Sequence, residues 1–143
     1  ITLKSLKEKY SKNKRDAFLY RVDYVLKNAN YDLVDVHLYD TPEDWLKVMA
    51  NLRKHLPRNK QNMPMICTEF GGPNPKLEPL DDAYHARRLA LYLRTIRQSN
   101  LRYALYFKTV VAPPDECPHW CSGLFRGRKA RLGYYVFKKF VKD

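Results

Sequence analysis

Several things are scarce in this 143-residue sequence, and each scarcity excludes a class of protein. Three cysteines are too few for a disulfide framework of the kind that staples small secreted domains. Cys67 sits inside an apolar run and reads as a small core residue. Cys117 and Cys121 flank His119 in "CPHWC", but that packing matches no common zinc spacing and no second pair exists, which leaves a local disulfide or two thiols. Long hydrophobic runs are missing too. None approaches the roughly 18 residues of a membrane span, and the basic N-terminus lacks the apolar stretch of a signal peptide. Acidic residues are outnumbered, giving a formal net charge of +12.

That charge is unevenly placed. Residues 1–15 carry six Lys or Arg against Glu8, residues 126–143 carry seven against Asp143, and the stretch between is nearly neutral. Charge confined to two ends reads as solvated terminal surface rather than a phosphate-binding groove, so nucleic acid is not the expected partner. With 45% hydrophobic and 13% aromatic residues the composition is globular.

The chain alternates apolar strands with amphipathic helices. "RDAFLYRVDYVLKN" places Phe18, Val22, Val25 and Leu26 near one face at helical spacing. "DLVDVHLY", residues 32–39, is a strand in which Val34, Val36 and Leu38 alternate with Asp35, His37 and Tyr39. "TPEDWLKVMANLRKHL" opens with Thr41 as N-cap, Pro42 at the first helical position and two acids in the first turn, and buries Trp45, Val48, Met49, Leu52 and Leu56. "MICTE" is the second strand, followed by the turn-rich "FGGPNPKLEP". A helix from Asp81 or Asp82 presents Ala86, Leu89, Ala90, Leu93 and Ile96. "RYALYFKTVV" is the third strand. A loop over 112–127 then leads to a terminal helix carrying Tyr135, Val136 and Phe140.

This order, with no hairpin signal between the strands, predicts an α/β fold of βαβ units on a parallel sheet. Loops leaving the C-terminal ends of such strands collect function. Glu69 lies at one of those ends, as do His37 and Tyr39. Strict alternation predicts Met65, Cys67 and Glu69 on one side of the second strand and Ile66, Thr68 and Phe70 toward the helices. A tyrosine hydroxyl can bond a carboxylate, and a histidine can orient a substrate hydroxyl or relay a proton, which suits a carboxylate nucleophile. His55, His85 and His119 are on helices or loops and read as structural or exposed.

The series "DLVDVHLY", "PMICTEFGGP", "ALYF" and "GLFRGRKARLGYYVFKKF" resembles the last three βα units of the clan A glycoside hydrolases, which are TIM barrels, over about residues 16–143. The resemblance implies that Glu69 is the retaining nucleophile, that Tyr39 contacts it and that His37 contacts it or the substrate. It also implies a charged hairpin before the terminal helix, a carbohydrate substrate and no cofactor. Many members carry a Trp after the eighth strand as a sugar platform; here the sequence reads "YFKTVV", leaving Phe107 or Trp120 to stack on a sugar or to pack. The clan's Asn-Glu acid/base pair is absent, and Glu8, Glu43, Glu78 and Glu116 match no such position.

Three units cannot close an eight-stranded barrel. The expectation is therefore a single partial domain, with residues 1–15 as a basic lead, that belongs to a longer barrel beginning with N-terminal strands not in this chain. The alternatives are a small protein with a rearranged open sheet, or self-association. In function, the alternative is a non-catalytic module that binds carbohydrate or a polyanion through its basic termini. The sequence names no compartment; only the resemblance admits an extracellular or periplasmic one.

Overall fold

The alternation of apolar and polar side chains in "VDVHLY" is satisfied by a strand with one dry face, and that strand opens the sheet. In the computed structural model, which describes residues 12–39, 41–79, 81–114 and 119–142, it is β1 (Val34–Tyr39), with Val34, Val36 and Leu38 buried and Asp35 and His37 exposed. Most of the basic lead, Glu8, Glu116 and Cys117 fall outside the described residues. A helix α1 (Lys12–Asn28) precedes β1. After β1 come α2 (Pro42–His55), β2 (Met65–Gly71), α3 (Asp82–Gln98) and β3 (Leu101–Tyr106). The chain closes with the short strands β4 (Phe125–Arg126) and β5 (Lys129–Ala130) and with α4 (Leu132–Lys142).

The sheet has the order β1-β2-β3, and both pairings are parallel. Each sequential strand therefore lies beside its predecessor, with a helix in the connection. The β4–β5 pair is an antiparallel hairpin turned at Gly127, whose φ of 58° is the left-handed region that glycine adopts without cost. No helix among the described residues is long and apolar enough to cross a membrane.

One face of the sheet is covered by helices. Val34, Val36, Leu38, Met65, Cys67 and Phe70 share a core with Trp45 and Met49 of α2 and with Leu89, Tyr92 and Leu93 of α3. Trp45 stacks on Tyr92 at 5.1 Å and meets Phe70 edge-on at 6.2 Å, the offset and T-shaped geometries that aromatic quadrupoles favour. Cys67 is fully buried, as its apolar surroundings predicted.

Three local expectations are corrected. Thr41 makes no side-chain cap; Pro42 starts α2, and the Asp44 amide bonds the Thr41 carbonyl instead. Asp81 does cap α3, its Oδ1 accepting from the Tyr84 amide at 2.6 Å. On α1, Phe18 and Val25 remain 40% and 54% exposed, and only Leu26 packs on the core. On α4 it is Tyr134, Val136, Phe137 and Phe140 that reach the core, while Tyr135 points to solvent.

Candidate active site

The site is built by an irregularity in the β1–β2 ladder. Asp35 pairs with Ile66, but His37 pairs with Glu69, so β2 advances one residue more than β1 and carries a bulge around Cys67 and Thr68. A one-residue slip exchanges the two faces of a strand. Before the bulge Met65 and Cys67 face the helices; after it Phe70 does, and Glu69 arrives on the open face beside His37. Strict alternation would place Met65 and Cys67 with Glu69, and Thr68 with the helices. The extra residue is the physical reason that both placements fail while Glu69 still reaches its partners.

On the open face, the Tyr39 hydroxyl donates to Glu69 Oε2 at 2.6 Å, and His37 Nδ1 lies 3.5 Å from the same oxygen. The Glu69 side chain is 39% exposed, so it is supported from below and open above. Thr68 donates twice to Asp35, from its amide to Oδ1 at 2.9 Å and from its hydroxyl to Oδ2 at 2.5 Å. Partial burial would raise the Asp35 carboxyl, but these bonds and the neighbouring His37 outweigh it and hold the group below its ordinary value. Beneath Glu69 the Cys67 thiol donates to the Glu69 carbonyl at 3.2 Å, and burial pushes it up to about 12, which makes it inert.

Of the aromatic candidates, Phe107 stands edge-on to Tyr39 with ring centroids 6.0 Å apart. The peptide bond that follows it, Phe107–Lys108, is cis. Trp120 begins a 3-10 turn (Trp120–Ser122) and is half-buried, and its carbonyl accepts from the Ala112 amide at 3.0 Å.

His119, read from the sequence as structural or exposed, lies against the site. Its ring stacks on Tyr39 at 4.0 Å with an interplanar angle of 12°. The sequence placed His119 in the long loop that leaves the C-terminal end of β3, where function collects, but not its return onto Tyr39. Asp35 and Thr68 were also missed, since the bulge that joins them leaves no mark in a regular pattern.

The loop carrying His119 is held by buried polar groups. Arg131, only 4% exposed, donates to the carbonyls of Cys121 at 2.5 Å and Gly123 at 2.7 Å and bonds Asp82 at 2.9 Å. Tyr106 donates to the Ser122 carbonyl at 2.6 Å, and His85 Nε2 lies 3.0 Å from that carbonyl. A Cβ at Gly133 would meet the His85 ring at 2.6 Å, so this glycine is required for close approach. These contacts bring the C-terminal loop to the strand ends. Among the described residues no three His, Cys, Asp or Glu side chains converge on a metal position.

Parallel strands joined by helices, with the polar cluster at their C-terminal ends, define a mixed α/β protein built from βα units. A solved structure with a similar fold is a GH39 β-xylosidase from Caulobacter crescentus, with a TM-score of 0.52 at 14% sequence identity. The match covers 92% of this chain and 30% of the xylosidase, so the chain spans about 30% of that protein's length. At this identity the likeness is one of fold. No protein-family model and no curated protein sequence matches the chain.

Proposed function

We propose that the chain forms the last three βα units of a TIM-barrel glycoside hydrolase of the retaining type, with Glu69 as the nucleophile. The observation that carries this reading is the 2.6 Å bond from the Tyr39 hydroxyl to Glu69 Oε2 at the C-terminal end of a parallel sheet. Tyr39 orients the carboxylate, His37 contacts the same oxygen, and the Tyr39–Phe107–His119 cluster supplies apolar ring surface beside it. The fold shared with a β-xylosidase and the resemblance of the strand-end motifs support the same class.

In this mechanism Glu69 attacks the anomeric carbon, the glycosidic C–O bond breaks, and the departing oxygen takes a proton from a second carboxyl roughly 5 Å away. Water then cleaves the glycosyl ester, returning its proton to that second group. Asp35 is unsuited to the proton-donor role, because its oxygens are occupied by Thr68 and its carboxyl is held ionised. The donor therefore comes from strands outside this chain, and the chain by itself turns over no glycoside. The oligo- or polysaccharide substrate is a sugar whose ring can lie against the aromatic cluster.

The test uses activated fluorosugars, including a xylosyl fluoride, whose leaving group needs no acid. Intact mass and peptide mapping of the chain, and of a longer protein containing it, would find a sugar ester on Glu69 that Glu69→Gln abolishes. Failure of both proteins to label would sink the nucleophile assignment.

A second reading, polyanion binding without catalysis, draws on a different cleft of about 550 Å³ lined by Lys27, Lys54, His55 and Arg58 together with Asp23, which pairs with Lys27 at 2.7 Å. It predicts binding that survives Glu69→Gln and weakens steeply with salt as counterions are released.

A further inference from the structure

The hydrogen-bond directions around His37 are over-determined by one carboxylate. Asp35, held ionised, can only accept, so the Thr68 hydroxyl hydrogen is committed to Asp35 Oδ2. The Thr68 oxygen is left as an acceptor. His37 Nε2 stands 3.1 Å from that oxygen and 3.5 Å from Asp35 Oδ2, two acceptors that both require hydrogen on Nε2. With Nε2 protonated, Nδ1 is the ring atom facing Glu69 Oε2 at 3.5 Å. An unprotonated Nδ1 and a carboxylate oxygen are both acceptors, so this contact becomes attractive when a proton lies between them.

We propose that Asp35 is a positioning residue for Glu69: acting through Thr68, it fixes the His37 imidazole with Nε2 protonated and Nδ1 turned to the Glu69 carboxylate. The inference deepens the function proposed above and rests on it for its meaning. His37 Nδ1 then meets the same oxygen of Glu69, Oε2, that the Tyr39 hydroxyl bonds. The groups around the ring are Asp35 on β1, Thr68 and Glu69 on β2, and the Tyr39 phenol backed by His119. Beyond them Lys108 lies over the Phe107 ring at 5.5 Å from its centroid. The β2 bulge is what permits the arrangement, because a regular strand could not bring the consecutive residues Thr68 and Glu69 to the same face.

The test reads the imidazole nitrogens directly, by nitrogen-15 NMR of the histidine-labelled 143-residue chain across a pH titration. In the unaltered chain His37 Nδ1 alone moves to the unprotonated shift as pH rises, and Nε2 stays protonated. In Asp35→Asn the new amide nitrogen donates to the Thr68 oxygen and frees the hydroxyl hydrogen for Nε2, so the preference inverts: Nε2 alone moves to the unprotonated shift and Nδ1 keeps its hydrogen toward Glu69. A fold-only role for Asp35 would leave the tautomer alone. A neutral His37 carrying hydrogen on Nδ1 in the unaltered chain overturns the proposal, as does an unchanged tautomer in Asp35→Asn. The first of these needs no variant, so the proposal stays open to refutation even where Asp35→Asn misfolds. Neither readout uses a sugar, so a wrong tautomer with Glu69 still labelled removes only Asp35. A correct tautomer with no label on Glu69 removes the glycosidase reading.

Discussion

At the scale of single residues, the chemistry sits in side chains whose surroundings dictate their ionisation. His85 shows the energetic consequence most directly. Burial, helped by the nearby Arg131 charge, lowers it from 6.5 to about 4. Its neutral form is therefore favoured in the folded protein, while the unfolded chain takes up a proton below about pH 6.5. Stability is full above that value and falls as pH drops toward 4, by about 3 kcal/mol from this residue alone. Urea denaturation at a series of pH values should show that slope, and His85→Gln should flatten it. Equal slopes in both proteins would show that His85 does not titrate in the unfolding equilibrium. Glu69 and Tyr39 were legible as partners in the sequence because each falls at a strand end with its polar group off the aliphatic face. His119 was not, because stacking on Tyr39 depends on where an irregular loop returns.

At the scale of elements, the C-terminal loop depends on Arg131. Its guanidinium satisfies two loop carbonyls and reaches the first turn of α3 at Asp82, so it joins the 119–124 segment to a rigid helix. Removing the buried guanidinium leaves the Cys121 and Gly123 carbonyls without their donor, at about 1–3 kcal/mol for each buried group left unsatisfied. Arg131→Met is expected to lower the urea midpoint accordingly and to release His119 from Tyr39, visible as a changed His119 ring environment by NMR. A variant with native stability and an unchanged His119 signal would show that the loop is held by other contacts. The helices were readable from apolar spacing and from signals such as Asp81 and Pro42. Their buried faces were less so: α1 has a helical apolar stripe, yet most of it meets solvent within this chain.

At the scale of the whole molecule, a three-stranded parallel sheet has two edges, and among the described residues no further strand pairs with β1 or β3. Tyr103 and Leu105 on β3 are 47% and 54% exposed, and Phe18, Tyr20 and Val25 add apolar surface on α1. Exposed edges with apolar side chains favour pairing with other strands. The 143-residue chain is expected to associate with rising concentration, measured by light scattering or sedimentation. If the proposed barrel reading holds, complementary strands supplied on a second polypeptide should suppress this association. A monodisperse monomer at high concentration would show that these surfaces are tolerated as they stand.

The sequence by itself determined the order of strands and helices, the parallel arrangement that follows from it, and the placing of Glu69, His37 and Tyr39 at strand ends. These are consequences of local periodicity, capping chemistry and short connections, all of which are written in neighbouring residues. Only the tertiary structure decided that β2 bulges before Glu69, that Thr68 turns to Asp35 and His37, and that His119 closes on Tyr39. Each of these depends on the register between strands or on the return of a long loop. Register and loop return are set by the packing of residues far apart in the chain.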